Sequence, residues 1–142
     1  MPELYNLDRF VAAQAPLYGR VCDELRAGHK TSHWMWFIFP QIAGLGSSPT
    51  ARFFAIASLA EAVAYLQHPV LGPRLGECTN LVNGVEGRSA FDIFGSPDDL
   101  KFRSSMTLFN EAASASDTSV FQQALDQYFA GEPDRRTLEI LS

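Results

Sequence analysis

The chain has 142 residues, 46% of them hydrophobic, with 11 lysines and arginines against 16 aspartates and glutamates and a net charge of −5. That length and apolar content suit a single globular domain over residues 1–142, with a core large enough to need no disulfide or metal staples. The negative balance, with basic residues scattered along the chain, speaks against a nucleic-acid backbone as partner, because such binding rests on phosphate neutralisation by gathered positive charge.

The N-terminus, Met1-Pro2-Glu3-Leu4-Tyr5, has no basic region leading into an apolar stretch. No later segment approaches the roughly 20 apolar residues that cross a bilayer, so a cytoplasmic protein without membrane contact is the expectation. Residues 7–27 set Phe10, Val11, Leu17, Val21, Cys22 and Leu25 at helical spacings, with Gln14 the polar exception on that face. Pro16 removes a backbone donor and disfavours helical geometry at Ala15, which predicts a kink or two abutting helices, and Gly28 ends the run. The block His33-Trp34-Met35-Trp36-Phe37-Ile38-Phe39-Pro40-Gln41 holds both tryptophans; it is too short to show a period and reads as helical or irregular. A loop over residues 44–49 follows, then a short helix over 50–57 entered through Ser48 and Pro49.

Ser58-Leu59-Ala60-Glu61 has the form of a capping box, serine and glutamate each satisfying a free amide of the other, and opens a helix to about Gln67. Pro69 begins the next helix, with Leu71, Leu75, Cys78 and Val82 inside and Gly84 as its end. Cys22 and Cys78 read as buried free thiols, since nothing resembles a disulfide framework or a metal knuckle. Ser96-Pro97-Asp98-Asp99 predicts a further start, with serine as cap, proline in the first turn and two carboxylates at the positive end of the dipole. That helix reaches about Ala113 and buries Leu100, Met106, Phe109 and Ala113, with Phe102 extending the face. Residues 114–119 read as a polar connector, and two helices close the chain over 120–130, stopped by Gly131, and 134–141, capped by Asp134. The sum is a compact all-α fold of six to eight short helices, with room for a minor two-stranded element near the aromatic block.

Buried polar groups need partners, since an unpaired one costs roughly 1–3 kcal/mol, so His33 and Gln41 are either tied into the core or aimed at a ligand. With Lys30 they bring an imidazole, an amide and a cation beside aromatic faces suited to stacking on a flat ring, while Gly44 and Gly46 let backbone amides approach closely. A packed aromatic core is the competing reading. Lys101 and Ser105, four apart on one helix, share a face on which a lysine lowers a serine pKa or holds a phosphate. Asp98 with Lys101 fits a surface ion pair equally well. Glu61 is either a cap or, one turn into its helix, a general acid or base. His29 and His33 have the spacing of two metal ligands, but no third is positioned, so neither metal nor other cofactor is expected.

The chain resembles the bacterial domain-of-unknown-function family 1810 over essentially its whole length. The resemblance is carried by Arg9-Phe10 with Ala13-Gln14, residues 24–28, residues 30–48, Glu61-Ala62 with Tyr65-Leu66 and His68-Pro69, Leu71-Gly72 with Arg74-Leu75, Phe94-Gly95 with Asp98 and Lys101, residues 104–109, and Gly131 with Asp134, Thr137 and Leu138. It implies kinship and assigns no activity. The calpastatin label sometimes attached to that family does not suit a compact, aromatic, unrepetitive chain. In the order of its elements the chain is also similar to the NADAR group of small α-helical proteins linked to ADP-ribose. That similarity implies Glu61 as acid or base, Lys101 and Arg74 on phosphate oxygens, and Trp34 or Trp36 stacked on adenine.

Together these readings point to a small-molecule ligand, nucleotide-like or ADP-ribose-like, in an aromatic pocket formed by Lys30, His33, Trp34, Trp36, Gln41, Arg74, Lys101 and Ser105. Glycosidic-bond hydrolysis through Glu61, or through Asp98 beside Lys101, is the enzymatic version. The alternative is a non-catalytic protein-interaction module whose aromatic block is simply core.

Overall fold

Helix boundaries follow the capping and breaking residues closely. In the computed structural model, which describes residues 5–114 and 119–142, the first helical face divides at Pro16 into α1 (Asp8–Gln14) and α2 (Tyr18–Arg26). Gly28 turns the chain out of α2 at a φ of +70°, where a side chain would be strained. The aromatic block forms one helical turn, α3 (Met35–Ile38). Ser48 Oγ accepts the Ala51 N–H at 3.1 Å to open α4 (Pro49–Phe53).

At α5 (Leu59–Gln67) Ser58 Oγ accepts the Glu61 N–H at 3.1 Å, as a capping box requires. The Glu61 carboxylate, however, takes the N–H of Ala57 at 2.9 Å, one residue ahead of the amide expected. α6 (Leu71–Asn83) begins two residues beyond Pro69, because His68 Nδ1 accepts the N–H groups of Val70 and Leu71 at 3.1 and 3.3 Å. The pattern reading missed α7 (Ala90–Phe94), five residues opened by a reciprocal capping box of Ser89 and Asp92.

α8 (Asp98–Ala112) starts at Pro97 without a side-chain cap, so Ser96 does not have the role expected of it. Leu100 is a second correction: it is 56% exposed, while Phe102, Met106 and Phe109 are fully buried. Two positions from Phe102, Leu100 stands roughly 200° away around the helix and so faces solvent. α9 (Val120–Phe129) and α10 (Arg135–Leu141) complete the chain, with Asp134 Oδ2 accepting the Thr137 N–H at 3.1 Å as predicted. Positions 115–118 of the expected polar connector lie outside the described residues. Among the described residues there are ten helices and no sheet; the two beyond the expected range are the short turns α3 and α7. The minor extended element is a single parallel bridge between Ile42 and Ile56.

α8 is the central element and packs against α5, α7, α9 and α10. A chain of rings fills the space around it: Phe39 meets Phe102 edge-on at 5.0 Å, Phe94 stacks on Phe102 at 4.7 Å, and Tyr65 lies 5.1 Å from both Phe10 and Phe109. Ring pairs of this kind contribute about 0.5–1.5 kcal/mol each beyond area burial. They anchor the aromatic block to α8, which sets Lys101 opposite α3. Cys22 and Cys78 are buried and free, and burial pushes the Cys78 thiol up to about 12. No helix among the described residues is long and apolar enough to cross a membrane.

Candidate functional site

The aromatic block is held by a carboxylate that the sequence reading passed over. Glu24, buried on α2, accepts the N–H of Thr31 at 2.8 Å, the N–H of Ser32 at 3.1 Å, the Ser32 hydroxyl, and the indole N–H of Trp34 at 2.9 Å. Burial alone would raise its pKa; the converging donors, led by the Ser32 hydroxyl, outweigh burial and hold it down at about 2. This network shapes the turn between α2 and α3 and draws the Trp34 ring wholly inside.

From that turn Lys30 reaches back over the Trp34 ring at 5.2 Å and pairs with Asp98 at 2.9 Å, its side chain only 8% exposed. Asp98 also contacts Lys101 at 3.5 Å, and the Lys101 ammonium lies 5.6 Å above the ring of Trp36. The result is a ladder of Trp34, Lys30, Asp98, Lys101 and Trp36, in which one carboxylate bridges two ammoniums and each ammonium sits on an indole. Its first half is sealed and its second half opens outward, since Trp36 and Lys101 are only half-buried.

Lys101 borders two hollows. The inner one, about 20 Å³, holds little more than a water molecule and is lined by Trp36, Phe39, Gln41, Ile42, Gly46 and Phe54 among others. The outer one is a cleft of about 300 Å³ between the 41–46 loop and the start of α8, reaching Leu100, Ser104, Asp134 and Arg136. Lys101, Gln41 and Gly46 belong to both. Gln41 is fixed by its backbone, whose carbonyl accepts the Ile56 N–H at 2.9 Å, while its side-chain amide has no protein partner among the described residues. Gly46 packs so tightly that a Cβ there would stand 2.7 Å from that of Ala51.

The expected site residues are thus only partly brought together. Gln41 and Lys101 line both hollows, Trp36 lines the inner one, and Lys30 and Asp98 are linked to Lys101 through the ion pairs of Asp98. Trp34 is sealed against Glu24 and cannot stack on a ligand, and His33 is exposed and lines neither hollow. Arg74 lies over the Tyr18 ring at 4.8 Å and donates to Gln14 Oε1 at 3.4 Å, which ties it to the packing of α1, α2 and α6. Ser105 is fully buried with an unpartnered hydroxyl and does not meet Lys101 in the cleft; Ser104, the next residue back, lines it instead. Glu61 is 3% exposed, bound by Arg9 at 2.8 Å and by the Ala57 N–H, and it is not among the residues lining the hollows. Among the described residues no three metal-ligating side chains cluster.

Over residues 4–141 the chain matches the family described as protein of unknown function DUF1810. The chain belongs to this family. A solved crystal structure, the conserved hypothetical protein Rv1873 from Mycobacterium tuberculosis, is 58% identical to it, with 98% of each chain covered and a TM-score of 0.95. No curated protein matches. Neither result supports the NADAR resemblance.

Proposed function

We propose that this DUF1810 chain binds a nucleotide-like ligand in the cleft between the 41–46 loop and α8. The observation that carries the reading is the joint position of Lys101 and Gln41: an ammonium and an unpartnered amide border both hollows, with the face of Trp36 beneath the ammonium. An anionic group seats at Lys101, where Asp98 holds the ammonium in place and leaves it partly open. Lys30 pairs with the other oxygen of the half-buried Asp98, so that carboxylate keeps a cationic partner when Lys101 also meets a ligand. The Trp36 ring lies beneath that ammonium and lines the inner hollow, so it borders the seat of the anion.

The reading is one of binding. Glycosidic-bond hydrolysis through Glu61 needs a carboxylate free to exchange a proton with the ligand, whereas both Glu61 oxygens are committed to Arg9 and Ala57. A second reading, a protein-interaction surface, is favoured by one observation: Leu100 and Ile140 are exposed by 56% and 42%, and Leu100 borders the outer cleft. A thermal-shift screen with nucleosides, nucleotides, ADP-ribose and simple phosphates separates the two. A ligand at about a hundred times its dissociation constant stabilises the fold by about 2.7 kcal/mol, and Lys101→Ala should abolish the response. No response from any of the panel would leave the interaction surface as the better reading.

A further inference from the structure

The outer cleft continues into a larger groove of about 520 Å³, lined by Arg103, Glu132, Pro133, Asp134, Arg135, Arg136 and Leu138. Asp134 and Arg136 belong to both spaces, so the two are contiguous. On a chain of net charge −5, four of the 11 basic residues, Lys101, Arg103, Arg135 and Arg136, border these joined hollows. The acids beside them are already engaged: Asp134 caps α10 through Thr137, and Glu132 lies 3.5 Å from Arg103. Arg135 and Arg136 have no hydrogen-bond or ion-pair partner among the described residues. Four cations against the two carboxylates Glu132 and Asp134 in the lining leave a local positive surplus that the overall charge conceals, and guanidinium is the group best matched to phosphate oxygens.

From this we infer that the ligand carries two linked anionic groups, a diphosphate ester rather than a monophosphate, with the first group at Lys101 and the second at Arg136 in the adjoining groove. Arg135 and Arg103 border the same groove and screen the added charge. The inference rests on the cleft reading above and extends it to the ligand's chemical class. It also assigns a binding role to Arg136, for which the sequence analysis names none.

The test is calorimetric titration of the whole chain and of Arg136→Ala with three probes: a nucleoside monophosphate, the matching diphosphate, and inorganic diphosphate. Arg136 is exposed and unpartnered, so the variant should keep the wild-type melting temperature, and an Arg136→Lys variant serves as a charge-conserving control. The expected result is a diphosphate affinity about tenfold above that of the monophosphate. Arg136→Ala should remove that preference with little effect on the monophosphate, and Arg136→Lys should restore part of it. Equal binding of mono- and diphosphate by the wild type, or a preference that survives Arg136→Ala, would overturn the inference while leaving the cleft reading intact. Failure of all three probes to bind would overturn both.

Discussion

Replacing Glu24 by glutamine tests whether the floor of the site is built as described. The carboxylate is buried and collects two backbone N–H groups, a hydroxyl and the Trp34 indole, and these donors bring its pKa from the ordinary 4.5 down to about 2. That drop is equivalent to about 3 kcal/mol of folded-state stabilisation. Because the folded pKa lies below the unfolded one, the stabilisation is complete above the unfolded value of 4.5 and is lost as pH falls through about 2. Glutamine keeps the shape, removes the charge and turns an NH2 group towards donors that then lack an acceptor. At neutral pH, Glu24→Gln should cost about 2–3 kcal/mol and lower the melting temperature by roughly 6–10 °C for a chain of this size. Urea unfolding of both proteins across the acid range should show the gap closing between 4.5 and about 2. A variant within about 0.5 kcal/mol of wild type at neutral pH, or a gap unchanged at the acid end, would refute the reasoning.

Other substitutions separate scaffold from site. Glu61→Gln removes the charge facing Arg9, whose guanidinium still donates to the carbonyls of Tyr5, Asn6, Phe53 and Ala55, and should destabilise by roughly 1–2 kcal/mol in chemical denaturation, while nucleotide affinity changes less than about twofold. Gly72→Ala puts a Cβ 2.1 Å from the Leu66 carbonyl oxygen, a backbone atom that cannot step aside, and should cost about 3 kcal/mol in the same assay. Ala130 ends α9 in the left-handed region at φ 55°, so Ala130→Gly should stabilise by about 0.5–1 kcal/mol and raise the urea midpoint. Leu100→Ala, on the solvent face of α8, should change stability by no more than about 0.5 kcal/mol.

Local signals carried most of the fold. Pro16, Ser48, Ser58, Gly84 and Asp134 each mark a boundary that the structure honours, because caps and breakers act through the next few backbone groups. What escaped depends on distance. His68 caps α6 with an imidazole nitrogen, a role a sequence pattern does not advertise, and Leu100 looked buried because composition was read without its angle around the helix. The site divides in the same way. Trp36, Gln41 and Lys101 could be nominated from residue type, yet nothing local distinguishes Trp36, which borders a hollow, from Trp34 two residues earlier, which is claimed by Glu24 from another helix. The pairing of Glu61 with Arg9 spans 52 positions and was equally invisible. The groove has a local signal of its own: Arg135-Arg136 is the one pair of adjacent arginines in the chain, and it follows directly on the cap of α10.

The most direct test of the account is the pair of indole N–H resonances in a nitrogen-15 spectrum during titration with a nucleotide. The Trp36 indole and the Gln41 side-chain amide should shift together in a saturable way, while the Trp34 indole, held by Glu24, stays in place. Shifts confined to Trp34, or a titration that moves other residues and leaves Trp36 and Gln41 untouched, would contradict it.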